Sequence, residues 1–130
     1  MLVEAVICIA TAVYFEARAE PLEGQQAVAY VILNRAEDPY YPNDICEVVK
    51  QKNQFSFYWD GVSDVPKEKW AYQKAVRVAV EAIHYSWANP VPRATHYHAK
   101  RVRPVWRHKL QKMRTIGNHV FYKRKNEKHW

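Results

Sequence analysis

The sequence predicts an α+β domain, mainly helical, with one small β-hairpin. Three observations carry that reading. Apolar residues recur at helical spacing from Leu2 to Trp87, prolines cut that stretch into separate helices, and β-prone pieces appear only afterwards. A chain of 130 residues suits one domain over 1–130, large enough for a core without crosslinks. An apolar share of 48% with 18 aromatic residues argues against disorder.

The first helix is expected over Leu2 to Arg18, where Val6, Ile9, Ala10, Val13 and Ala17 form a stripe. Pro21 disfavours helical backbone at Glu20 and ends it. A second helix, Leu22 to Ala36, places Ala27, Val28, Val31, Ile32 and Arg35 on one face, and its small residues permit close helix approach. After a turn over 37–42, Asn43 or Asp44 caps a short helix, Ile45 to Lys52. Gln54 to Gly61 is aromatic and irregular. Asp64 as N-cap and Pro66 as an early position then open a long helix, Lys67 to Trp87, closed by Asn89 to Pro92. Thr95–His98 and His119–Tyr122 are the β-prone pieces, expected to pair across the basic loop between them.

Charge is unevenly spread. Residues 1–92 carry 8 Lys/Arg against 12 Asp/Glu, whereas residues 93–130 carry 12 against 1. A basic end of that density, about 100–130, either solvates the chain or seeks polyanions such as nucleic acid or anionic envelope polymers. Residues 1–11 are apolar but interrupted by Glu4 and lack a basic leading region, so no secretion signal is expected, nor a membrane span. Cys8 and Cys46 are free thiols if the chain stays in the cytoplasm, and a disulfide if it works outside it.

The chemistry concentrates around Glu16. A carboxyl that follows Tyr14 and Phe15 at a helix end is placed to lose hydration and hold a proton near neutral pH, as a general acid must. Glu20 is four residues on and shares a face with Glu16 if the helix continues, and paired carboxylates point to glycoside hydrolysis. Arg18 is either an orienting cation or a charge at the helix C-terminus. Gln54, Phe55 and Ser56, followed by Phe57, Tyr58 and Trp59, read as a carbohydrate platform or as core. Asn34 and Arg35 either hold that loop or cap their helix.

His96 and His98 flank Tyr97, and strand alternation would send both imidazoles to one side, to hydrogen-bond substrate or backbone. His119 reads as a partly buried anchor of the hairpin. No metal is expected: a His-Glu-x-x-His pair is lacking, and two cysteines 38 apart do not make a zinc knuckle. Three glycines build no phosphate cradle, so no cofactor is expected either.

Four separated runs resemble the SleB-type cell wall hydrolases: Tyr14 to Glu20 with Gly24 to Arg35; Tyr41 to Val49; Asn53 to Phe57; and Ala94 to Ala99 with Val102, Pro104, Trp106 and Ile116 to Tyr122. The resemblance implies a fold like that of lysozyme and the lytic transglycosylases. It also implies cleavage of the β-1,4 bond between N-acetylmuramic acid and N-acetylglucosamine in peptidoglycan. It makes Glu16 the catalytic acid/base and places Glu20, Gln54, Phe55, Ser56 and Tyr97 near the substrate, with His98 added from the strand pattern. Cys8 and Cys46 match a cysteine pair of envelope-directed members. A single catalytic domain with a basic end resembles a phage endolysin, a monomer released through a holin to reach the wall. The alternatives are a hydrolytic muramidase and, from another class, a basic nucleic-acid-binding module.

Overall fold

A computed structural model describes residues 2–51 and 67–125. Among these residues four helices, α1 (Leu2–Ala17), α2 (Leu22–Glu37), α3 (Ile45–Lys50) and α4 (Lys69–His84), precede three strands, β1 (His96–Ala99), β2 (Leu110–Ile116) and β3 (His119–Arg124). The fold is mixed α+β and predominantly helical, as the apolar spacing implies.

Helix α2 is the centre. Ala27 through Ile32 are all buried, so it is enclosed on every side rather than along one stripe, with α1, α3 and α4 against it. A helix apolar all round belongs inside a domain. Around it, α1 buries Ile9, Ala10, Ala12, Val13 and Tyr14, while α4 buries Ala71, Ala75, Val78, Ala79 and Ala82. The predominance of Ala and Val lets the helices approach closely.

The helix ends show what sequence spacing could not fix. Asp44, the second of the two cap candidates, accepts the Glu47 amide at 3.0 Å and opens α3. Helix α4 starts later than expected, at Lys69, because the Lys67 and Glu68 amides are bound by the Tyr14 hydroxyl oxygen at 3.0 and 2.9 Å. The expected cap, Asp64, and Pro66 lie outside the described residues. Helix α4 also stops at His84; the Tyr85 carbonyl is taken by the Tyr30 hydroxyl, and Ser86–Ala88 form a 3-10 turn instead of a last helical turn.

The strands form one antiparallel sheet in the order β1-β3-β2. The expected pairing is present, with His96 opposite Tyr122 and Tyr97 opposite Phe121. The segment read as a basic loop, however, contains β2, which pairs with the other side of β3 through the Gly117-Asn118 turn. The small β element is therefore three strands, not a lone hairpin. Phe121, Ile116, Tyr97 and Met113 face the helical core.

Cys8 and Cys46 form a disulfide between α1 and α3, so they are not the free thiols of the cytoplasmic reading. Closing a loop with a 38-residue separation removes about 4 kcal/mol of unfolded-chain entropy in the chain-entropy account. Among the described residues, no helix is long and apolar enough to cross a membrane.

Candidate active site

Glu16 sits in the last turn of α1, half-buried, where the helix meets the inner face of β1. The Tyr97 hydroxyl donates to its Oε1 at 3.1 Å. Burial raises the Glu16 pKa above the ordinary carboxylate value of 4.5; the Tyr97 hydrogen bond and the positive charge of Arg35 pull the other way. Desolvation wins, and the group is biased towards its neutral, proton-donating form. Oε1 is occupied by Tyr97, which makes Oε2 the oxygen available to a reacting partner.

Tyr97 is fixed by its surroundings. Its ring lies against His119 at 4.9 Å between centroids and Phe121 at 5.5 Å. Burial, and the Glu16 carboxyl beside it, hold its hydroxyl well above the ordinary phenol range, so it acts as a hydrogen-bond donor.

Arg35, near the C-terminal end of α2, is 5% exposed. Its Nε donates to the Thr95 carbonyl at 2.8 Å, and its guanidinium lies over the Tyr41 ring. Next to it, the Asn34 amide donates to the Val91 and Ala94 carbonyls at 2.9 and 2.8 Å. The Asn34–Arg35 pair thus holds the 91–95 segment that leads into β1. The alternative partner from the sequence, the 54–59 loop, lies outside the described residues.

Glu20 does not share a helical face with Glu16. Helix α1 stops at Ala17, the Glu20 amide donates to the Ala17 carbonyl, and the chain turns into Pro21. The Glu20 carboxylate instead accepts the Asn118 amide at 2.9 Å and so grips the β2–β3 turn. Gly117 takes φ +58° there, and a Cβ at that position would overlap the Glu20 carboxylate and the Pro21 ring.

Arg18 is not the cation of Glu16. It pairs with Glu68 at 2.6 Å, both side chains half-exposed at the surface, and its guanidinium lies over the Tyr14 ring. Tyr14, two positions before Glu16, points away and binds the start of α4.

His96 and His98 do share a side of the strand, and both rings contact Trp106, at 5.0 and 5.7 Å. That side is opposite to Tyr97 and Glu16, so His98 is not brought together with them. His98 Nδ1 donates to the Ala99 carbonyl, and Nε2 shares a hydrogen bond with the Tyr122 hydroxyl at 2.8 Å. His96 is pushed down to about 4 by burial and by the charges of Arg35 and Arg124. His119 is buried on the inner face, packed at a tilt against Tyr97 and within the field of Glu20, with its pKa lowered by burial.

Gln54, Phe55 and Ser56 lie outside the described residues. Among the described residues, no three His, Cys, Asp or Glu side chains gather in a metal-binding cluster. The concavity lined by Glu4, Ile7, Asn43 and Lys50 belongs to the disulfide, eight residues before Glu16 along α1.

Arg35 and His119, which the sequence offers as a loop holder or helix cap and as a hairpin anchor, stand beside Tyr97. For Arg35 the signal was present: a charged residue on the apolar face that carries Val28, Val31 and Ile32.

The family model described as Cell Wall Hydrolase matches residues 19–122, beginning three residues after Glu16. The spore cortex-lytic enzyme of Bacillus subtilis strain 168 is 34% identical over 114 residues, covering 87% of this chain and 35% of that protein. The spore cortex-lytic enzyme of Oceanobacillus iheyensis is 34% identical over 118 residues, 88% of this chain and 40% of that one. This chain therefore spans between a third and a half of the length of these curated relatives. Among solved structures, the catalytic domain of the germination-specific lytic transglycosylase SleB from Bacillus anthracis superposes with a TM-score of 0.77 at 32% identity, covering 92% of this chain and 93% of that domain. The catalytic domain of the Bacillus cereus SleB protein gives the same TM-score and identity and is covered over 89%.

Proposed function

The chain belongs to the Cell Wall Hydrolase family, and on that premise we propose that it is a peptidoglycan lytic transglycosylase with Glu16 as its acid and base. The carrying observation is the half-buried Glu16 carboxyl, biased towards its protonated form by burial and held through one oxygen by Tyr97.

The neutral Glu16 protonates the glycosidic oxygen between N-acetylmuramic acid and N-acetylglucosamine as that bond breaks through an oxocarbenium-like state. The carboxylate left behind takes the proton of the muramyl 6-hydroxyl, whose oxygen closes on the anomeric carbon. The product is a 1,6-anhydro sugar, and Glu16 is again protonated. No water is consumed and no second carboxylate nucleophile is required. That economy fits a site in which the neighbouring Glu20 is engaged with Asn118. We assign Glu20 to holding the β2–β3 turn beside the site. The glycan is assigned to the face of the domain that carries Glu16, with Gln54, Phe55 and Ser56 as sequence-based contacts.

The place of action proposed is the cell envelope. A disulfide between α1 and α3 is at home in an oxidising compartment. Release by a holin, and a monomeric state, are proposed on the sequence reading alone. Residues 100–125 carry ten Lys/Arg and no Asp/Glu, which fits retention on anionic wall polymers.

Mass spectrometry of the products released from purified peptidoglycan tests this reading, with Glu16→Gln as control. Fragments one water lighter than hydrolysis products are expected from the wild type and none from the variant, a loss of about a thousandfold or more. Reducing-end muramic acid would instead give the attack to water, making the enzyme a muramidase. No release at all, with salt-sensitive DNA binding, would favour the nucleic-acid module. Added salt is expected to slow release from whole walls more than from soluble glycan fragments.

A further inference from the structure

Three side chains from three separate elements meet at this site: Glu16 from α1, Arg35 from α2 and Tyr97 from β1. Two of them have assigned tasks under the proposed reaction, on which this inference rests. Arg35 has none. A guanidinium that is 5% exposed is costly to bury, and a domain of this size holds one there only when its surroundings use the charge.

Two uses follow, one from its hydrogen bond and one from its charge. First, the Arg35 Nε bond to the Thr95 carbonyl fixes the backbone immediately before β1, two residues ahead of Tyr97. The neighbouring Asn34 bonds to Val91 and Ala94 complete that clamp. The position of the Tyr97 hydroxyl on Glu16 follows from it. Second, the Arg35 charge is felt by both Glu16 and Tyr97. The Tyr41 ring, Tyr97, Glu16 and His96 are among the described groups within reach of the Arg35 charge.

We propose that Arg35 is a positioning residue of the reaction: it clamps β1 so that Tyr97 meets Glu16, and it supplies the buried positive charge against which Glu16 becomes a carboxylate. An acid that must serve as a base one step later needs both states within reach. Burial alone favours the acid and would strand the reaction at proton transfer. A cation already in place lowers the cost of the carboxylate without waiting for solvent to reorganise. Tyr97 adds a hydrogen bond that strengthens in the same state. The clamp and the charge therefore act on the same step through one side chain.

The test compares Arg35→Met, which keeps the length and removes the charge, with Arg35→Lys, which keeps the charge and removes the Nε bond to Thr95. Two readouts are taken: the pH dependence of product release, and the titration of the Glu16 carboxyl by carbon NMR in glutamate-labelled protein, assigned by its absence in Glu16→Gln. In Arg35→Met the Glu16 titration and the basic limb of the rate profile are expected to move to higher pH, with release about ten- to a hundredfold slower. In Arg35→Lys the titration is expected to stay near that of the wild type while release slows. An unmoved Glu16 titration in Arg35→Met, or a wild-type rate in Arg35→Lys, overturns the inference. If Arg35→Met does not fold, Arg35→Lys decides alone: slower release with a Glu16 titration near that of the wild type upholds the inference, and a wild-type rate or a titration moved to higher pH overturns it. The NMR titration needs no substrate, so it stands even if the proposed reaction fails. Conversely, a fully active Glu16→Gln would sink the proposed reaction whatever Arg35 does.

Discussion

The last turn of α1 and the turn that follows it carry one glutamate each, four residues apart, and the fold gives them opposite surroundings. Glu16 is half-buried, touched by one hydroxyl, and biased towards its neutral form. Glu20 accepts a backbone amide and fixes a hairpin whose Gly117 leaves room for nothing else. The difference arises where the helix stops. Had α1 run one turn further, both carboxylates would share a face and repel one another. Ending at Ala17 sends Glu20 to the sheet and leaves Glu16 alone over the site.

The largest test of that contrast is to remove each carboxylate in turn. Glu16→Gln is expected to abolish release from peptidoglycan with the fold intact by circular dichroism. Glu20→Gln should keep activity within about tenfold while losing about 1–2 kcal/mol in denaturant unfolding, since it removes a charge-assisted hydrogen bond. Gly117→Ala, which disturbs the same contact from the other side, should cost about 1–3 kcal/mol through the left-handed backbone and the overlap with Glu20. Equal loss of activity in Glu16→Gln and Glu20→Gln would erase the contrast.

A smaller effect sharpens it through pH. The folded-state pKa of Glu16 lies above its ordinary value, so between the two the folded protein holds a proton that the unfolded chain has released. Stability is therefore lost as pH rises through that window, and glutamine suffers no such loss. Glu16→Gln should melt above the wild type at pH 7, with the gap narrowing at pH 4. His96, with a folded value of about 4, acts with the opposite sign and is lost as pH falls from 6.5, but it is common to both proteins and cancels. A gap independent of pH would place Glu16 outside the buried environment described here.

Much of this was legible in the sequence, and the failures have local causes. The helices followed from apolar spacing because Ala and Val mark buried positions plainly. Strand β2 did not, because an edge strand with Gln111, Lys112, Arg114 and Thr115 exposed presents the polarity of a loop. Desolvation of Glu16 was expected from Tyr14 and Phe15, its neighbours in sequence. Residues two apart on a helix point in nearly opposite directions, and Tyr14 binds the start of α4 while Tyr97, 81 residues after Glu16, meets the carboxyl. Arg18 was the nearer cation in sequence and Arg35 the one in place. Only tertiary contact separates those two.

The disulfide divides the site in a way that packing alone does not. The covalent loop from Cys8 to Cys46 contains Glu16, all of α2 and Arg35, whereas Tyr97 and the whole sheet lie beyond it. An excursion that lifts the sheet away breaks the Tyr97 contact yet leaves the two charges tethered within one short circuit of chain. Amide protons should record this as two cooperative units: those of β1 and β3 exchanging through a lower-energy opening, those of α2 only on global unfolding. Reduction of the disulfide should bring the two classes together, a change readable by hydrogen–deuterium exchange. Glu16 would then have lost the part of the molecule that keeps its counter-charge close when its hydrogen-bond partner leaves.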